Sequence, residues 1–175
     1  CWAKTTAKVI EAAFPNLKVI VRYGIGLDNI DVDFATRSHI PVLNVPTYCV
    51  VDVAEHTLGY LLALSRKIAF FDRRVRQGSW NIQEALPLRR LVGKRLGLIG
   101  LGNIGREVAR RAQAFGLEVC AYTPRLTPER ALEAGVIALS LDELLSTADF
   151  VSLHLPLTPQ NTGMIGAAQL QRMKP

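Results

Sequence analysis

The residues best placed to do chemistry are three glycines at the end of an apolar run, Leu96-Gly-Leu-Ile-Gly-Leu-Gly-Asn-Ile-Gly105. Leu96, Leu98 and Ile99 read as a buried parallel strand. Gly100, Gly102 and Gly105 follow with the spacing G-x-G-x-x-G, and a helical pattern begins at once. Ile104, Val108, Ala112 and Phe115 fall on one face, with Arg106, Arg110 and Gln113 on the other. A glycine turn between a strand and a helix is the setting in which this spacing holds a dinucleotide. Gly100 permits the tight turn, Gly102 lets backbone approach a pyrophosphate, and Gly105 lets the helix pack on the strand. The helix N-terminus then offers free N–H groups and a positive dipole end to the anion.

A missing acid speaks to the choice of dinucleotide. Folds of this kind that hold NAD carry an Asp or Glu about twenty residues further on, for the ribose hydroxyls. Here the second strand, Glu118-Val-Cys-Ala-Tyr122, runs into Thr123, Pro124 and Arg125, and no acid lies between Glu118 and Glu129. Thr123 stands where the acid would be. An acid there repels a ribose 2′-phosphate, whereas Arg125 can hold it through charge-assisted bonds. NADP(H) is therefore expected over NAD(H), with NAD(H) as the alternative.

The elements that must position these residues alternate between short helices and apolar strands, which predicts an α/β fold. Thr5 or Thr6 caps a first helix with Val9, Ile10 and Ala13 inward, broken by Pro15 and Asn16. Lys18–Arg22 and Pro41–Val45 read as strands, with a glycine loop (Gly24, Gly26) after the first and Asp31 capping a short helix near Phe34. Val50–Phe71 reads as one long helix, almost wholly apolar between Leu58 and Leu64, and a second helix spans Asp72–Gln77 before Gly78. A helix apolar all round must be covered on several sides, as an interface between two subunits would do. The dinucleotide unit then has strands near Arg95, Glu118, Val136 and Phe150, and helices from Asn103, Thr127 and Ser140. That is four strands of a doubly wound parallel sheet that normally has about six. The chain reads as an internal fragment.

Composition narrows the classes. In 175 residues the hydrophobic content is 49%, enough for a real core and against disorder. The net charge of +6 is spread along the chain, without the aromatic interleaving or motif of a nucleic-acid binder. Three cysteines in no paired or metal-like spacing point to a reduced, cytoplasmic compartment. No metal site is expected, no segment reads as a signal peptide, and the apolar stretch Thr57–Leu64 is too short to span a membrane.

Taken in order, these motifs resemble the D-isomer-specific 2-hydroxyacid dehydrogenases over essentially the whole chain. Arg22-Tyr-Gly-Ile-Gly-Leu-Asp-Asn-Ile-Asp31 is similar to their substrate-domain loop, and Asn44-Val-Pro46 with Val53-Ala-Glu55 to their domain crossover. Gly93–Gly105 resembles their coenzyme loop. Leu153-His-Leu-Pro-Leu-Thr158, Thr162-Gly163 and Met173-Lys-Pro175 resemble their later coenzyme-domain signature. The resemblance implies part of a flavodoxin-like substrate domain at residues 1–46 and a Rossmann-type coenzyme domain, incomplete, at 47–175. It implies hydride transfer between a nicotinamide and a 2-keto or 2-hydroxy acid, in a homodimer joined through the 50–78 helical region.

Carried over residue by residue, the backbone at Gly24 and Ile25 would hold the substrate carboxylate, with Ile25 also near the nicotinamide. Asn103 and Ile104 would cover the pyrophosphate, and Leu155 and Pro156 would line the crevice. Tyr122–Arg125 resembles the NADPH-using glyoxylate and hydroxypyruvate reductase branch. The family's catalytic arginine, glutamate and histidine would lie beyond the equivalent of Pro175, so no catalytic residue is expected here and the fragment itself is expected to be inactive. A dinucleotide-sensing transcriptional corepressor is the competing reading, with some likeness at Tyr48-Cys49 and Trp80–Arg90.

Other tempting residues have structural readings. His154 ends a strand and lines the cofactor side, His56 pairs with Glu55, and His39 sits in a turn. Arg22 fixes the glycine loop by an ion pair with Asp28 or Asp31. Tyr23 could touch substrate, with the neighbouring backbone preferred for that role.

Overall fold

In the computed structural model, which describes residues 3–124 and 126–175, the chain divides into two units, Cys1–Val50 and Val51–Pro175. The larger unit is organised by strand β3 (Arg95–Ile99), whose side chains alternate between two cores. β4 (Glu118–Tyr122) pairs with it on one side and β6 (Phe150–Leu153) on the other, all parallel. β5 (Ile137–Ala138) adds to the far edge of β4, giving the order β5-β4-β3-β6. The chain thus moves outward twice, then crosses back to the other side of β3. That reversal places a switch point beyond the carboxyl ends of β3 and β6, where doubly wound sheets take ligands.

Leu96 and Leu98 face one core, shared with Val108, Ala109 and Ala112 of helix α5 (Asn103–Ala114). Ala54, Leu58 and Leu61 of α3 (Val50–Ser65) complete that layer. Ile99 faces the other core with Leu144, Leu145 and Ala148, which belong to α7 (Leu141–Thr147) and its end. Gly97 also points there, and any Cβ on it would collide with Leu144. The remaining helices are α4 (Ile68–Arg76), α6 (Pro128–Glu133) and α8 (Ala167–Arg172). Thr127 caps α6, and Ser140 with Glu143 forms a reciprocal capping box on α7.

Two expectations for this unit need correction. The single long helix over 50–71 is two helices: Lys67 takes a left-handed conformation (φ 55°) and its Nζ donates to the Ala85 carbonyl at 2.6 Å, so α3 stops at Ser65 and α4 restarts at Ile68. Phe115 is not on the inner face of α5. It follows the last helical turn and is exposed, and Ala109 takes the buried place, because the helix ends before the apolar repeat does.

In the smaller unit, β1 (Ile20–Arg22) pairs in parallel with β2 (Val42–Asn44), flanked by α1 (Ala7–Ala12) and α2 (Val32–Arg37). Both strands are shorter than the apolar runs that encode them. Asp31 Oδ1 accepts the Phe34 N–H at 2.9 Å and so caps α2. Ile10 and Ala35 are buried, whereas Val9 and Ala13, expected inward, are exposed. Among the described residues no helix is long and apolar enough to cross a membrane, and no cluster of three metal-ligating side chains is present.

Candidate dinucleotide site

Each of the three glycines in the turn after β3 answers to a different neighbour. Gly100 has φ +102°, a conformation L side chains rarely adopt, and a Cβ there would run into the His154 carbonyl. A Cβ on Gly105 would run into the Gly100 carbonyl. Gly102 differs: its φ of −77° suits any residue, and a Cβ would meet nothing within 4 Å. The protein itself therefore demands glycine at 100 and 105 but not at 102. Open space in front of the α5 N-terminus is what a closely seated pyrophosphate requires, so the residues fit a dinucleotide.

The turn is stitched to both neighbouring strands. Gly100 N–H donates to the Tyr122 carbonyl at 2.8 Å, and His154 N–H donates to the Ile99 carbonyl at 2.8 Å. The first helical bond of α5 runs from Arg106 N–H to the Gly102 carbonyl at 3.0 Å. Helix geometry leaves the N–H groups of Asn103, Ile104 and Gly105 without intrahelical acceptors, and the positive end of the helix dipole lies among them. Asn103 is exposed and Ile104 half-buried.

Thr123 follows β4 at the same edge of the sheet, half-buried, with its carbonyl accepting Leu126 N–H at 3.0 Å. Arg125 lies outside the described residues. Beyond β6, Leu155 packs against the α7 core and Pro156 is exposed. Asn161 holds that segment, its Nδ2 donating to the Pro156 carbonyl at 2.7 Å and its Oδ1 accepting Thr158 N–H at 2.8 Å. Gly100, Gly102, Asn103, Ile104, Gly105, Thr123, Leu155 and Pro156 thus share the carboxyl edge of one sheet. His154 also stands there, its Nε2 2.9 Å from Ser152 Oγ, and burial pushes its pKa below the ordinary histidine value, so the ring is neutral at pH 7. The Ser152–His154 pair escaped the sequence reading because only a strand's two-residue alternation brings the two side chains to one face.

Gly24 and Ile25 belong to the smaller unit, at the carboxyl end of β1. Their loop is fastened by Asn44 Nδ2 donating to the Ile25 carbonyl at 2.7 Å and Val45 N–H donating to the Gly24 carbonyl at 3.1 Å. Gly24 N–H donates to the Arg22 carbonyl at 2.9 Å. The expected ion pair of Arg22 with Asp28 or Asp31 is replaced by a bond from its Nη1 to the Gly26 carbonyl, since Asp31 is committed to its helix cap. The guanidinium lies against Gly24, where a Cβ would displace it. The expected His56–Glu55 pair is also absent. Glu55 faces Arg111 at 3.8 Å, and His56 packs edge-on against Tyr60, one helical turn on.

Known proteins supply the frame for this geometry. Residues 58–175 match the family "D-isomer specific 2-hydroxyacid dehydrogenase, NAD binding domain". D-3-phosphoglycerate dehydrogenase of Mycobacterium bovis is 44% identical over 99% of this chain and 33% of its own length. Hydroxypyruvate reductase of Thermotoga maritima is 46% identical over 98% of this chain and 54% of its own. The crystal structure of Aquifex aeolicus D-lactate dehydrogenase complexed with NAD and lactic acid superposes with a TM-score of 0.87 at 34% identity, covering 99% of this chain and 51% of that one. The chain thus spans about a third to a half of the length of these relatives. The match reaches over most of the sequence, the sheet has the Rossmann order, and the space beside Gly102 at its carboxyl edge is open: the protein belongs to the D-isomer specific 2-hydroxyacid dehydrogenase family, and residues 58–175 lie in its nicotinamide-dinucleotide-binding domain.

Proposed function

We propose that the protein is a reductase of small 2-keto acids, glyoxylate or hydroxypyruvate, that favours NADPH. The observation that carries the reading is Gly102, a glycine its own fold does not need, in front of the free N–H groups of α5. When bound, the nicotinamide supplies a hydride to the keto carbon. The chain's own residues bind and orient. Asn103 and Ile104 present backbone N–H groups to the pyrophosphate, Leu155 and Pro156 wall the crevice, and the backbone at Gly24 and Ile25 takes the keto-acid carboxylate, with Ile25 assigned to both ligands. Residues 1–46 are assigned to the substrate domain and 47–175 to the coenzyme domain. Proton donation falls to the acid–histidine pair that the family resemblance assigns beyond Pro175.

The NADPH preference rests on Thr123 in place of an acid, with Arg125 two residues on. A hydrogen bond to a charged group is worth about 1.5–3 kcal/mol, or roughly ten- to hundred-fold in affinity. A homodimer through residues 50–78 is supported by the apolar side chains exposed along α3 and α4, including Tyr60, Leu64 and Ile68. The unpaired cysteines Cys49 and Cys120 support a cytoplasmic location as part of this reading.

The test is cofactor oxidation by the full-length protein, with NADPH and NADH in parallel, on glyoxylate and hydroxypyruvate. The expected result is turnover favouring NADPH. Thr123→Asp should reverse the preference, and Arg125→Ala should raise KM for NADPH more than for NADH. Turnover favouring NADH discards the roles of Thr123 and Arg125. Dinucleotide binding without turnover replaces the enzyme by a sensing module.

A further inference from the structure

Two aromatic side chains of the smaller unit meet each other outside its buried core. Tyr23 is 77% exposed and Tyr48 45% exposed, yet their rings meet at 4.7 Å between centroids with a 40° tilt. Tyr23 opens the glycine loop after β1, and Tyr48 lies in the turn after β2. The Asn44–Ile25 and Val45–Gly24 bonds tie those two segments together. The rings therefore share the strand end that carries Gly24 and Ile25.

We propose that the Tyr23–Tyr48 pair sets substrate choice: it receives the uncharged hydroxymethyl end of a three-carbon 2-keto acid and discriminates against the phosphate ester of the same acid. This rests on the reading above, in which Gly24 and Ile25 hold the carboxylate, and it decides between substrate types that the names of the relatives leave open. A methylene packs on an aromatic face, and a neutral phenol donates to or accepts from a hydroxyl. A phosphate monoester is close to doubly charged at pH 7 and needs cationic partners. The cation adjoining this pair, Arg22, is turned back onto the Gly26 carbonyl, and Gly24 makes the room for it. Cys49 and, less strongly, burial push the Tyr48 phenol above its ordinary value, so it stays a neutral donor. Setting a dianion against neutral rings sacrifices hydration without replacing it.

The experiment measures kcat/KM of the full-length protein for glyoxylate, hydroxypyruvate and 3-phosphohydroxypyruvate, for wild type, Tyr23→Ala and Tyr48→Phe. Wild type is expected to favour hydroxypyruvate over its phosphate ester by about tenfold or more. Tyr23→Ala should cut the hydroxypyruvate-to-glyoxylate ratio about tenfold, with the change in KM, because glyoxylate has no hydroxymethyl group for the pair to read. Tyr48→Phe keeps the ring and should cut the ratio by roughly three- to fivefold, which serves if the alanine variant does not fold. An unchanged ratio in both variants, or a wild type that prefers the phosphate ester, overturns the proposal. A wild type that reduces none of the three overturns the underlying reading and the proposal with it.

Discussion

The two ends of the four-stranded sheet use different chemistry on the same strands. At the amino end the charges close on one another. Arg95 pairs with Glu118 across β3 and β4 at 2.8 Å. Asp149, just before β6, accepts the Arg95 N–H at 2.9 Å and faces Lys94 at 3.5 Å and Lys174 at 3.4 Å. At the carboxyl end the same three strands finish in Gly100, Thr123 and a neutral His154, with bare peptide N–H groups in front of them. One end is satisfied internally and holds the strands in register. The other is left unsatisfied toward the crevice, which is the condition for binding an anion. Charge on the sheet is thus concentrated where no ligand is expected.

Substitutions can break this contrast from either side. The largest effect is expected at Gly100, where alanine meets both a positive φ and the His154 carbonyl. Gly100→Ala should lower stability by about 3 kcal/mol, seen as a fall in Tm of roughly 6–12 °C in thermal unfolding. At the opposite end, Asp149→Ala strands the Arg95 N–H and two lysines. It should lower stability by about 1–3 kcal/mol while leaving the dinucleotide Kd unchanged, and a Kd that weakened in parallel would merge the two ends into one function.

Asp149 also sets a pH dependence. Burial pushes its carboxyl up, but the Arg95 N–H, Lys174 and Lys94 more than reverse this and hold it below the usual carboxylate range. Its contribution is present above the unfolded-state value of about 3.9 and is lost as pH falls through the lower folded value. Urea titrations from pH 5 to 2 should show a steeper loss in wild type than in Asp149→Ala. The smallest effect belongs to His154, whose depressed value makes the folded state less stable as pH drops below about 6.5, where the unfolded chain takes up a proton first. His154→Gln should flatten the stability profile between pH 7 and 5.

Much of this was legible in local sequence. Leu96–Gly105 encodes strand, turn and helix within ten residues, because glycine conformation and apolar alternation are short-range properties. The missing acid after β4 was equally plain. What escaped depends on chain segments meeting in space. The Arg22 guanidinium chose a carbonyl four residues on over a carboxylate, since Asp31 was already bound to a helix N-terminus. Glu55 turned to Arg111, which sits on α5 and not beside it in sequence. The break at Lys67 was hidden because apolar periodicity runs through Ile68 and Phe71 without a glycine or proline. Nor does any spacing announce that the Tyr23 and Tyr48 rings would meet.

The central claim is that Gly102 is kept small for a dinucleotide and not for the fold. Gly102→Thr tests it most directly, since threonine suits an extended N-cap about as well as glycine and its Cβ would meet nothing within 4 Å. NADPH affinity and Tm should be measured together on the full-length protein. The account predicts a Kd at least about tenfold weaker with stability changed by no more than about 0.5 kcal/mol. An unaltered Kd, or a loss of stability matching that of Gly100→Ala, would contradict it.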